Sequence, residues 1–341
     1  MLKVVNISKT FDKRGLSLFN NLCFEIKNGE TLCVCGPSGA GKSTLCKMIM
    51  GQIKPDSGEI ELGKSVAYIP QEMTLDYSMT VFENIATPLY QQKIDESQIH
   101  HLVRSQIELF DLPYLDHKYP DELSTGQKQR VEMCKALVLD PDLVILDEPF
   151  SHLDPLLKEE LKIDLLPILK KRDCALLIVT HDLEDVYSLA DKVMLLAEGD
   201  LKQYGTPKEI YFHPKCSFAA RFSGKINLLA GHITGREGEY YNLKLPLGEF
   251  EVRSERKDLG SKFVYMAFRP HAVSICENGE FQAEVIKISF CGSYLEIWLR
   301  GSEQNKIVVE IPASQGLKET LDIGSKVRFN LNRDELFLMP I

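Results

Sequence analysis

The sequence lacks an apolar run long enough to cross a bilayer, which argues against a chain that spans a membrane by itself. The longest apolar runs, such as 174–179, are far shorter than the roughly 18 to 20 residues that a spanning helix needs. Residues 1–11 also lack the basic start and apolar core of a secretory signal. From the sequence we therefore expect a cytosolic protein.

Paired cysteines are also absent. The nine cysteines are scattered, mostly in apolar stretches, and no two of them form a C-x-x-C pair. An odd number without paired spacing argues against both a disulfide framework and a zinc site. We expect these cysteines to be buried free thiols.

A basic excess is missing as well. Lys and Arg number 40 against 49 Asp and Glu, so the formal net charge is -9. A protein that neutralises a phosphate backbone needs the opposite balance, and nucleic acid is therefore not an expected partner. The 44% hydrophobic and 26% charged residues, without a biased tract, are typical of a globular protein, and 341 residues predict two or three domains.

The first part of the chain, 1–225, alternates short apolar strand-like runs with longer helical patterns. This alternation is typical of an α/β domain built on a parallel sheet. Near its start, the segments 22–27 and 31–35 flank Asn28-Gly29, a dipeptide suited to a type I′ hairpin turn. The sequence therefore predicts an antiparallel β piece before the parallel core.

The second part, 226–341, has a different pattern. Short strand candidates recur with turn residues between them and without helices, at 227–233, 263–268, 281–289, 294–299, 306–311, 327–331 and 336–339. Strands at that spacing predict a small barrel or sandwich. We place the domain boundary between residues 225 and 226.

A glycine-rich segment fits the pattern G-x-x-x-x-G-K-[ST]. Its members are Gly36, Pro37, Ser38, Gly39, Ala40, Gly41, Lys42, Ser43 and Thr44. A strand candidate precedes it and an amphipathic helix follows it, as a phosphate-binding loop requires. The glycines would let backbone N–H groups surround phosphate oxygens, Lys42 would reach the β- and γ-phosphates, and Ser43 would bind Mg²⁺. The alternative is a glycine-rich turn without a ligand.

Two carboxylates follow the apolar run 143–146. Asp147 and Glu148 thus stand at the carboxyl end of a predicted buried parallel strand, where ligands of α/β sheets bind. We expect Asp147 to hold Mg²⁺ and Glu148 to deprotonate an attacking water. The alternative, a solvated strand end, is less favoured because a predicted phosphate loop lies upstream.

The segment Leu123-Ser-Thr-Gly-Gln127 resembles the LSGGQ motif of ABC transporters. With the two motifs above, it makes the chain similar to the nucleotide-binding subunit of an ABC transporter. Thr125 departs from the pattern, because glycine is usual at that position. The resemblance implies that Ser124 and Gly126 meet the γ-phosphate and that Gln127 belongs to the same site; alternatively, Ser124 is a helix N-cap.

The same resemblance assigns four further positions. Gln71 matches the glutamine loop that touches Mg²⁺ and the attacking water, and His181 matches the switch histidine. Asp154 matches the D-loop that crosses the dimer interface, with a helix cap as its alternative role. Phe11 lies where the family stacks an aromatic ring on adenine, although a core residue of a strand would look the same.

The last third of the chain resembles the C-terminal TOBE domain of importer ATPases. The similarity rests on 207–229, 268–273 and 281–285. This subgroup takes up sulfate, molybdate, ferric iron, polyamines and sugars. The sequence Arg-Pro-His that begins at Arg269 is more similar to the members that take up inorganic ions. For Arg269 itself we favour a role in tying one loop to another over anion sensing.

Together, the resemblance implies an ABC-type P-loop NTPase domain with an antiparallel β piece and a helical subdomain at about 76–140, followed by a small all-β OB-like TOBE domain. The apolar segment 86–89 is expected to be exposed in a groove for a membrane-subunit helix. ATP and Mg²⁺ are the expected ligands. The expected partners are a second copy, integral membrane permease subunits and, indirectly, an extracytoplasmic solute-binding protein.

The implied location is peripheral, on the cytoplasmic face of the inner membrane. Each ATP site would combine residues of both subunits: Lys42, Ser43, Gln71, Asp147, Glu148 and His181 of one with Ser124 and Gly126 of the other. The rivals are a non-transport ABC ATPase, which usually has a coiled coil or two cassettes, and a phosphate-loop kinase or GTPase, which the LSGGQ-like segment and the absent N-K-x-D motif oppose.

Overall fold

The computed structural model of the chain describes residues 1–10, 17–63, 65–151, 153–254, 259–301, 305–316 and 321–340. Among those residues, no helix combines the length and the apolar character that a membrane-crossing segment needs. The chain divides into two compact units, Met1–Pro207 and Lys208–Ile341, which we call unit 1 and unit 2. This division comes earlier in the chain than the boundary expected between residues 225 and 226.

Unit 1 is a mixed α/β structure. Its strands are β1 (Leu2–Thr10), β2 (Ser17–Ile26), β3 (Thr31–Cys35), β4 (Ser57–Leu62), β5 (Val66–Ile69), β6 (Leu143–Asp147), β7 (Ala175–Val179), β8 (Lys192–Ala197) and β9 (Asp200–Gly205). Its helices are α1 (Lys42–Ile49), α2 (Val81–Gln91), α3 (Glu96–Leu109), α4 (Thr125–Leu137), α5 (Pro155–Lys171) and α6 (Leu183–Leu189).

The main sheet of unit 1 has the strand order β5-β6-β7-β3-β8-β9. Neighbouring strands from β5 to β8 are parallel, and β9 is antiparallel at the edge. Every residue of β3, β6 and β7 is buried, which explains their continuous apolar sequences. Because these three strands are adjacent, the loops that follow their carboxyl ends meet at one edge of the sheet.

The antiparallel β piece exists, but its predicted pairing was wrong. Strand β2 pairs with β1 in a separate sheet of order β2-β1-β4, whereas β3 enters the main sheet. At the turn between β2 and β3, Glu30 N–H donates to Lys27 O at 3.1 Å and only Gly29 of the central pair has a positive φ. A type I′ turn needs two positive φ angles, so this turn redirects the chain between sheets.

Helices α2, α3 and α4 lie between β5 and β6 in the chain. Thr80 and Glu83 form a capping box at the start of α2, where Thr80 N–H donates to Glu83 Oε2 at 2.7 Å. The expectation that 86–89 is exposed was wrong for Ala86 and Leu89, whose exposed fractions are both 0%. These residues lie on the apolar face of an amphipathic helix that packs inward.

The nine cysteines are all free thiols. Five of them are buried, at 33, 35, 46, 134 and 174, as expected from their apolar surroundings. Burial raises the pKa of the Cys35 thiol to about 12, so this sulfur stays protonated. Cys23 and Cys291 are exposed and depart from the expectation.

Unit 2 is mostly β structure. Its strands are β10 (Asn227–Glu237), β11 (Tyr240–Leu245), β12 (Gly248–Arg253), β13 (Phe263–Phe268), β14 (Val273–Ile275), β15 (Phe281–Phe290), β16 (Tyr294–Arg300), β17 (Lys306–Pro312), β18 (Lys326–Leu331) and β19 (Phe337–Pro340). Its helices are α7 (Pro207–Phe212), α8 (Ser217–Phe222) and α9 (Ala313–Gly316). Two antiparallel sheets, β12-β11-β10-β13-β19 and β14-β18-β15-β16-β17, share one apolar core and form a nearly closed barrel. The predicted small all-β domain is confirmed, but the hairpin of β11 and β12 was not predicted.

Arg269 explains why α7 and α8 belong to unit 2. Its side chain follows β13, is 2% exposed and stacks on the Tyr211 ring at 4.1 Å. The guanidinium donates to Tyr211 O at 2.6 Å and to Ser223 Oγ at 2.7 Å. It also donates to the carbonyls of Ala220, Gly224 and Lys225 at 3.0–3.1 Å. Arg269 therefore ties the segment 211–225 to the barrel, which is the role that we favoured from the sequence.

Candidate functional site

The glycine-rich loop runs from the end of β3 to the start of α1. A Cβ on Gly36 would lie 2.1 Å from Leu196 O, and a Cβ on Gly41 would lie 2.8 Å from the Phe19 ring. Gly41 also has a φ of 95°, in the left-handed region, and is the N-cap of α1. Only glycine fits both constraints at this position. The loop therefore turns directly into the amino end of a helix, where anions bind.

Lys42, the first residue of α1, folds back over this loop. Its Nζ donates to Gly36 O at 2.8 Å and to Pro37 O at 3.0 Å. The ammonium group is thus already above the loop and can exchange these carbonyl contacts for phosphate oxygens. The other predicted members of the loop lie in the same turn or at the start of α1: Ser38, Gly39, Ala40, Ser43 and Thr44.

Asp147 ends β6 and is 7% exposed. Its Oδ2 accepts a hydrogen bond from Tyr68 Oη at 3.1 Å, and the Ser43 hydroxyl also bonds to this carboxylate. Burial raises the pKa of Asp147, and the charge of Glu148 adds to the effect, although these hydrogen bonds and Lys42 oppose it. A cation bound beside Asp147 would offset the burial of its charge, and the oxygen atoms of Asp147 and Ser43 are the ligand type that Mg²⁺ prefers.

Glu148 points away from Asp147 because of its backbone conformation. It has a φ of 52°, uncommon for a residue with a side chain, and its N–H donates to Val179 O at 2.8 Å. The carboxylate reaches the turn after β7, where Glu148 Oε1 lies 2.8 Å from His181 Nδ1. Two adjacent carboxylates thus face different partners: Asp147 faces the loop and Glu148 faces His181.

A cleft of about 760 Å³ opens beside this pair. Its walls include Glu148, Ser151, Thr180 and His181, together with the first turns of α5 and α6. The His181 side chain is 68% exposed, whereas that of Glu148 is 13% exposed. The carboxylate is therefore sheltered while its histidine partner remains open to a ligand.

Gln71 is exposed and lies two residues after β5, next to the strand that carries Asp147. The segment that follows Gln71 is held by α4. The buried Glu132 carboxylate accepts from the N–H of Thr74 and, at 3.1 Å, from its hydroxyl. Lys135 Nζ donates to Thr74 O at 2.8 Å.

The LSGGQ-like segment forms the start of α4. Ser124 N–H donates to Gln127 Oε1 at 3.0 Å and Gln127 N–H donates to Ser124 Oγ at 3.3 Å, which is a reciprocal capping box. Gly126 is buried against α5, where a Cβ would lie 2.7 Å from Leu157 Cδ1. Thr125 is the first residue of α4 and is not among the residues with a positive φ. Its β-branched side chain therefore causes no backbone strain.

Asp154 is the N-cap of α5, and its Oδ1 accepts from Leu157 N–H at 3.1 Å. Phe11 lies outside the residues that the structure describes. Of the expected site residues, the structure links Ser43 to Asp147 and Glu148 to His181, with Lys42 over the same loop. The bonds of Ser124 and Gln127 lie within the start of α4, and that of Asp154 within the start of α5.

Two contributors to the site were missed from the sequence. Tyr68 donates to Asp147 from the neighbouring strand, and its place on β5 three residues before Gln71 is the signal that could have identified it. Glu132 is buried near the glutamine loop. A glutamate within the apolar face of a helix is the sequence signal that could have identified Glu132, because buried carboxylates require partners.

Two family models match separate parts of the chain. A model of the ABC transporter family matches residues 19–151, and a TOBE domain model matches residues 266–339. The first contains Lys42, Ser124 and Glu148. The second lies within unit 2.

Three curated relatives are import ATP-binding proteins. The Fe(3+) ions import ATP-binding protein of Vibrio cholerae is 30% identical and covers 98% of this chain and 96% of its own length. The sulfate/thiosulfate import ATP-binding protein of Nitrosomonas europaea is 30% identical, with 98% and 97% covered. The spermidine/putrescine import ATP-binding protein of Thermotoga maritima is 35% identical, with 83% and 79% covered.

A solved structure is similar as well. It is cbiO1 from Clostridium perfringens, part of the ABC transporter complex cbiONQ. The TM-score is 0.57 and the sequence identity 28%, over 65% of this chain and 91% of the other.

Proposed function

Because the chain belongs to the ABC transporter family, as an ATP-binding subunit with a TOBE domain, we propose that it hydrolyses ATP to drive the import of a small solute. One observation carries the proposal. The glycine-rich loop with Lys42 follows β3, the buried Asp147 and the sheltered Glu148 stand at the end of β6, and His181 follows β7, so all of them lie at one edge of the main sheet. Such an edge provides the phosphate site, the metal ligands and the base that hydrolysis requires.

The phosphates of ATP would lie on the loop 36–44, with Lys42 on the β- and γ-phosphates. Asp147, Ser43 and Gln71 would hold Mg²⁺, which when bound neutralises phosphate charge. Glu148 Oε1 would take a proton from the attacking water, and the bond to His181 Nδ1 orients the carboxylate for this step. The low exposure of the Glu148 side chain, 13%, limits its contact with bulk solvent.

The complete site would form between two copies of the chain. In this homodimer, Ser124, Gly126 and Gln127 of one subunit would meet the nucleotide held by the other, with Asp154 at the interface. Two features of α4 support the assignment. Its start is the amino end of a helix, where anions bind, and Thr125 at this turn is exposed. ATP would bind the closed dimer better than the open one, so ATP would drive closure and hydrolysis would release it.

The partners of this subunit would be integral membrane permease subunits, with an extracytoplasmic solute-binding protein as an indirect partner. The chain would then work peripherally, on the cytoplasmic face of the membrane. Solute selectivity would reside in those partners. An inorganic ion such as sulfate, molybdate or ferric iron is our first proposal, in line with three relatives named for iron, sulfate and molybdate import. A polyamine or sugar is the alternative, in line with relatives named for spermidine/putrescine and glucose import.

The substitution Glu148→Gln tests the catalytic assignment. It keeps the size of the side chain but removes the base, so turnover should fall by about 10²- to 10⁴-fold while ATP binding remains. Trapped ATP should hold the dimer closed, which size-exclusion chromatography with and without Mg·ATP would measure. A variant that hydrolyses ATP at the wild-type rate, or stays monomeric with ATP bound, would contradict the proposal.

Copurification tests the transport assignment. Membrane subunits encoded near this chain should copurify with it and support ATP-dependent solute uptake in proteoliposomes. Uptake that stops with Glu148→Gln but not with an exposed carboxylate variant on α5, Glu160→Gln, would link the hydrolysis to transport. ATP hydrolysis without any associated membrane protein would instead favour a non-transport ABC ATPase.

A further inference from the structure

A cluster of four charged residues lies between α5 and α6, beside the His181 turn. Lys158 and Lys162 belong to α5, Asp182 precedes α6, and Asp185 belongs to α6. The exposed fractions of their side chains are 11% for Lys158, 4% for Lys162, 38% for Asp182 and 4% for Asp185. Charged groups are rarely buried to the extent of Lys158, Lys162 and Asp185 unless they are paired.

The two lysines have different partners. Lys158 Nζ forms an ion pair with Asp182 Oδ2 and lies 2.8 Å from Asp185 Oδ1. Lys162 Nζ lies 2.7 Å from Asp185 Oδ1 and 2.7 Å from Glu159 Oε1. Lys158 is therefore the lysine that reaches the residue next to His181.

Asp182 is fixed on three sides. Its N–H donates to Thr180 Oγ1 at 3.0 Å, its Oδ1 accepts from Glu184 N–H at 2.8 Å as the N-cap of α6, and its Oδ2 pairs with Lys158. The backbone on both sides of His181 is thereby held. Because His181 lies between Thr180 and Asp182, its position depends on the contacts that hold these two residues.

Lys158 is in an unusual place for a cation. It lies in the first turn of α5, where the helix dipole disfavours positive charge, and its N–H donates to Asp154 O at 2.9 Å. Burial works against the charge of Lys158, but hydrogen bonds to Asp182 and Asp185 outweigh it and raise its pKa. Burial likewise opposes the charge of Asp182, but its bonds to Lys158 and to Glu184 N–H lower its pKa. Both groups therefore remain charged.

We propose that Lys158 is a positioning residue for hydrolysis: through Asp182 it fixes the His181 turn against the start of α5, which keeps His181 Nδ1 on Glu148 Oε1. This inference rests on the proposed function of Glu148 and His181. It also connects Asp154, the cap of α5, to His181 within one subunit. A change at the start of α5 would then reach the base through Lys158 and its ion pair with Asp182.

The test compares Lys158→Met with Lys162→Met, two changes that remove one buried charge each from the same helix. Lys158→Met should lower kcat by about 10- to 100-fold, the usual effect of a displaced catalytic group, and change the KM for ATP less than about twofold. Lys162→Met should lower kcat much less at a similar loss of thermal stability. Lys158→Arg, which keeps the charge, should retain most of the activity.

A second pair of variants keeps the test valid if Lys158→Met folds poorly. Asp182→Asn can still cap α6 but loses the ion pair, so it should lower kcat to a similar extent. The double variant Lys158→Met/Asp182→Asn should be no slower than either single one, because both changes break the same pair. NMR resonances of the His181 ring, assigned through His181→Gln, should shift in Lys158→Met and not in Lys162→Met.

Equal kcat losses in Lys158→Met and Lys162→Met, or an unmoved His181 resonance, would overturn the inference. Its failure can be told from failure of the proposed function. If Glu148→Gln and His181→Gln abolish hydrolysis while Lys158→Met does not, only the role of Lys158 is lost. If Glu148→Gln leaves hydrolysis intact, the proposed base itself is wrong.

Discussion

The two units treat buried charge in opposite ways. In unit 1, Asp147 and Glu148 are sheltered but keep oxygen atoms directed towards the glycine-rich loop and an open cleft. In unit 2, the buried guanidinium of Arg269 is surrounded by backbone carbonyls and one hydroxyl of the same unit. The first arrangement is suited to binding a ligand, and the second to holding a fold together.

This difference shows why a buried charge alone does not identify a site. Burial raises the pKa of Asp147 because its hydrogen bonds only partly compensate for the lost water, so a cation can still stabilise it. Arg269 has hydrogen-bond acceptors around its whole planar fork, and Tyr211 covers one face. An anion at Arg269 would have to displace several of these acceptors.

The largest effect is expected at Arg269. Arg269→Met would leave several buried carbonyls without donors, so unit 2 should lose about 3 to 5 kcal/mol of stability. Hydrogen exchange of the full chain should rise across α7, α8 and β13, whereas ATP binding by unit 1 should not change. Arg269→Lys should restore little, because an ammonium cannot reproduce the fork.

The matched control for Arg269 is Arg328→Met on β18, where an exposed arginine is removed from the same unit. It should change stability by less than about 0.5 kcal/mol. If Arg269→Met is as mild as this control, or if it weakens binding of sulfate or molybdate without loss of stability, the structural role of Arg269 is wrong and an anion site replaces it.

The substitution Lys42→Ala tests whether a charge in unit 1 serves ligand binding rather than the stability of the fold. Within the described part of the chain, Lys42 Nζ donates to the carbonyls of Gly36 and Pro37, which are loop contacts, so Lys42→Ala should change stability little. ATP affinity measured by calorimetry should fall by about 10- to 100-fold, because hydrogen bonds to charged groups contribute about 1.5 to 3 kcal/mol. Lys47→Ala, a change at an exposed lysine of the same helix, should keep normal affinity. Normal affinity in Lys42→Ala would count against a phosphate loop.

The fold was predictable where local patterns and tertiary environment agree. The continuous apolar runs of β6 and β7 and the strand spacing of unit 2 indicated the correct elements. The hairpin prediction failed at Asn28-Gly29 because the dipeptide specifies a turn but not the sheet that the next strand joins. Strand β3 joins the main sheet instead, where every one of its residues is buried, and its neighbours in that sheet are distant in sequence.

The site residues were predictable where they lie together in a short sequence motif. Lys42 and the pair Asp147 and Glu148 lie in short motifs, so their residue types could be read directly. Tyr68 and Lys158 could not be identified in this way, because their partners Asp147 and Asp182 are distant in sequence. The position of Tyr68 before Gln71 was the available signal, whereas the Lys158–Asp182 pair becomes visible only when the packing of α5 against α6 is known.

A smaller effect concerns pH and unit 2. Glu296 pairs with Lys225 and accepts from Trp298 Nε1 at 2.8 Å, and these bonds lower its pKa. A lowered pKa in the folded state adds stability above the ordinary pKa of a glutamate, and this stability is lost as the pH falls through the lowered value. Because Lys225 is half exposed, we expect a contribution of about 1 kcal/mol or less.

Denaturant unfolding of the full chain at several pH values measures this contribution. Glu296→Gln should flatten the loss of unit 2 stability on the acid side, whereas Glu251→Gln, an exposed carboxylate of β12, should leave the slope unchanged. Equal slopes for Glu296→Gln and the wild type would show that the ion pair is solvated and contributes nothing.

The smallest effect is expected at Thr125, the one departure from the LSGGQ pattern. Because Thr125 begins α4 without a positive φ, glycine would relieve no strain there and would only increase the freedom of the unfolded chain. The propensity difference between threonine and glycine is about 0.3 kcal/mol, so Thr125→Gly should raise the ATP concentration for half-maximal dimer formation less than about twofold. Thr125→Ala, a better helix former, should lower it slightly or leave it unchanged. A clear drop for Thr125→Gly, but not for Thr125→Ala, would show that the closed dimer needs a backbone conformation at this position that only glycine adopts freely.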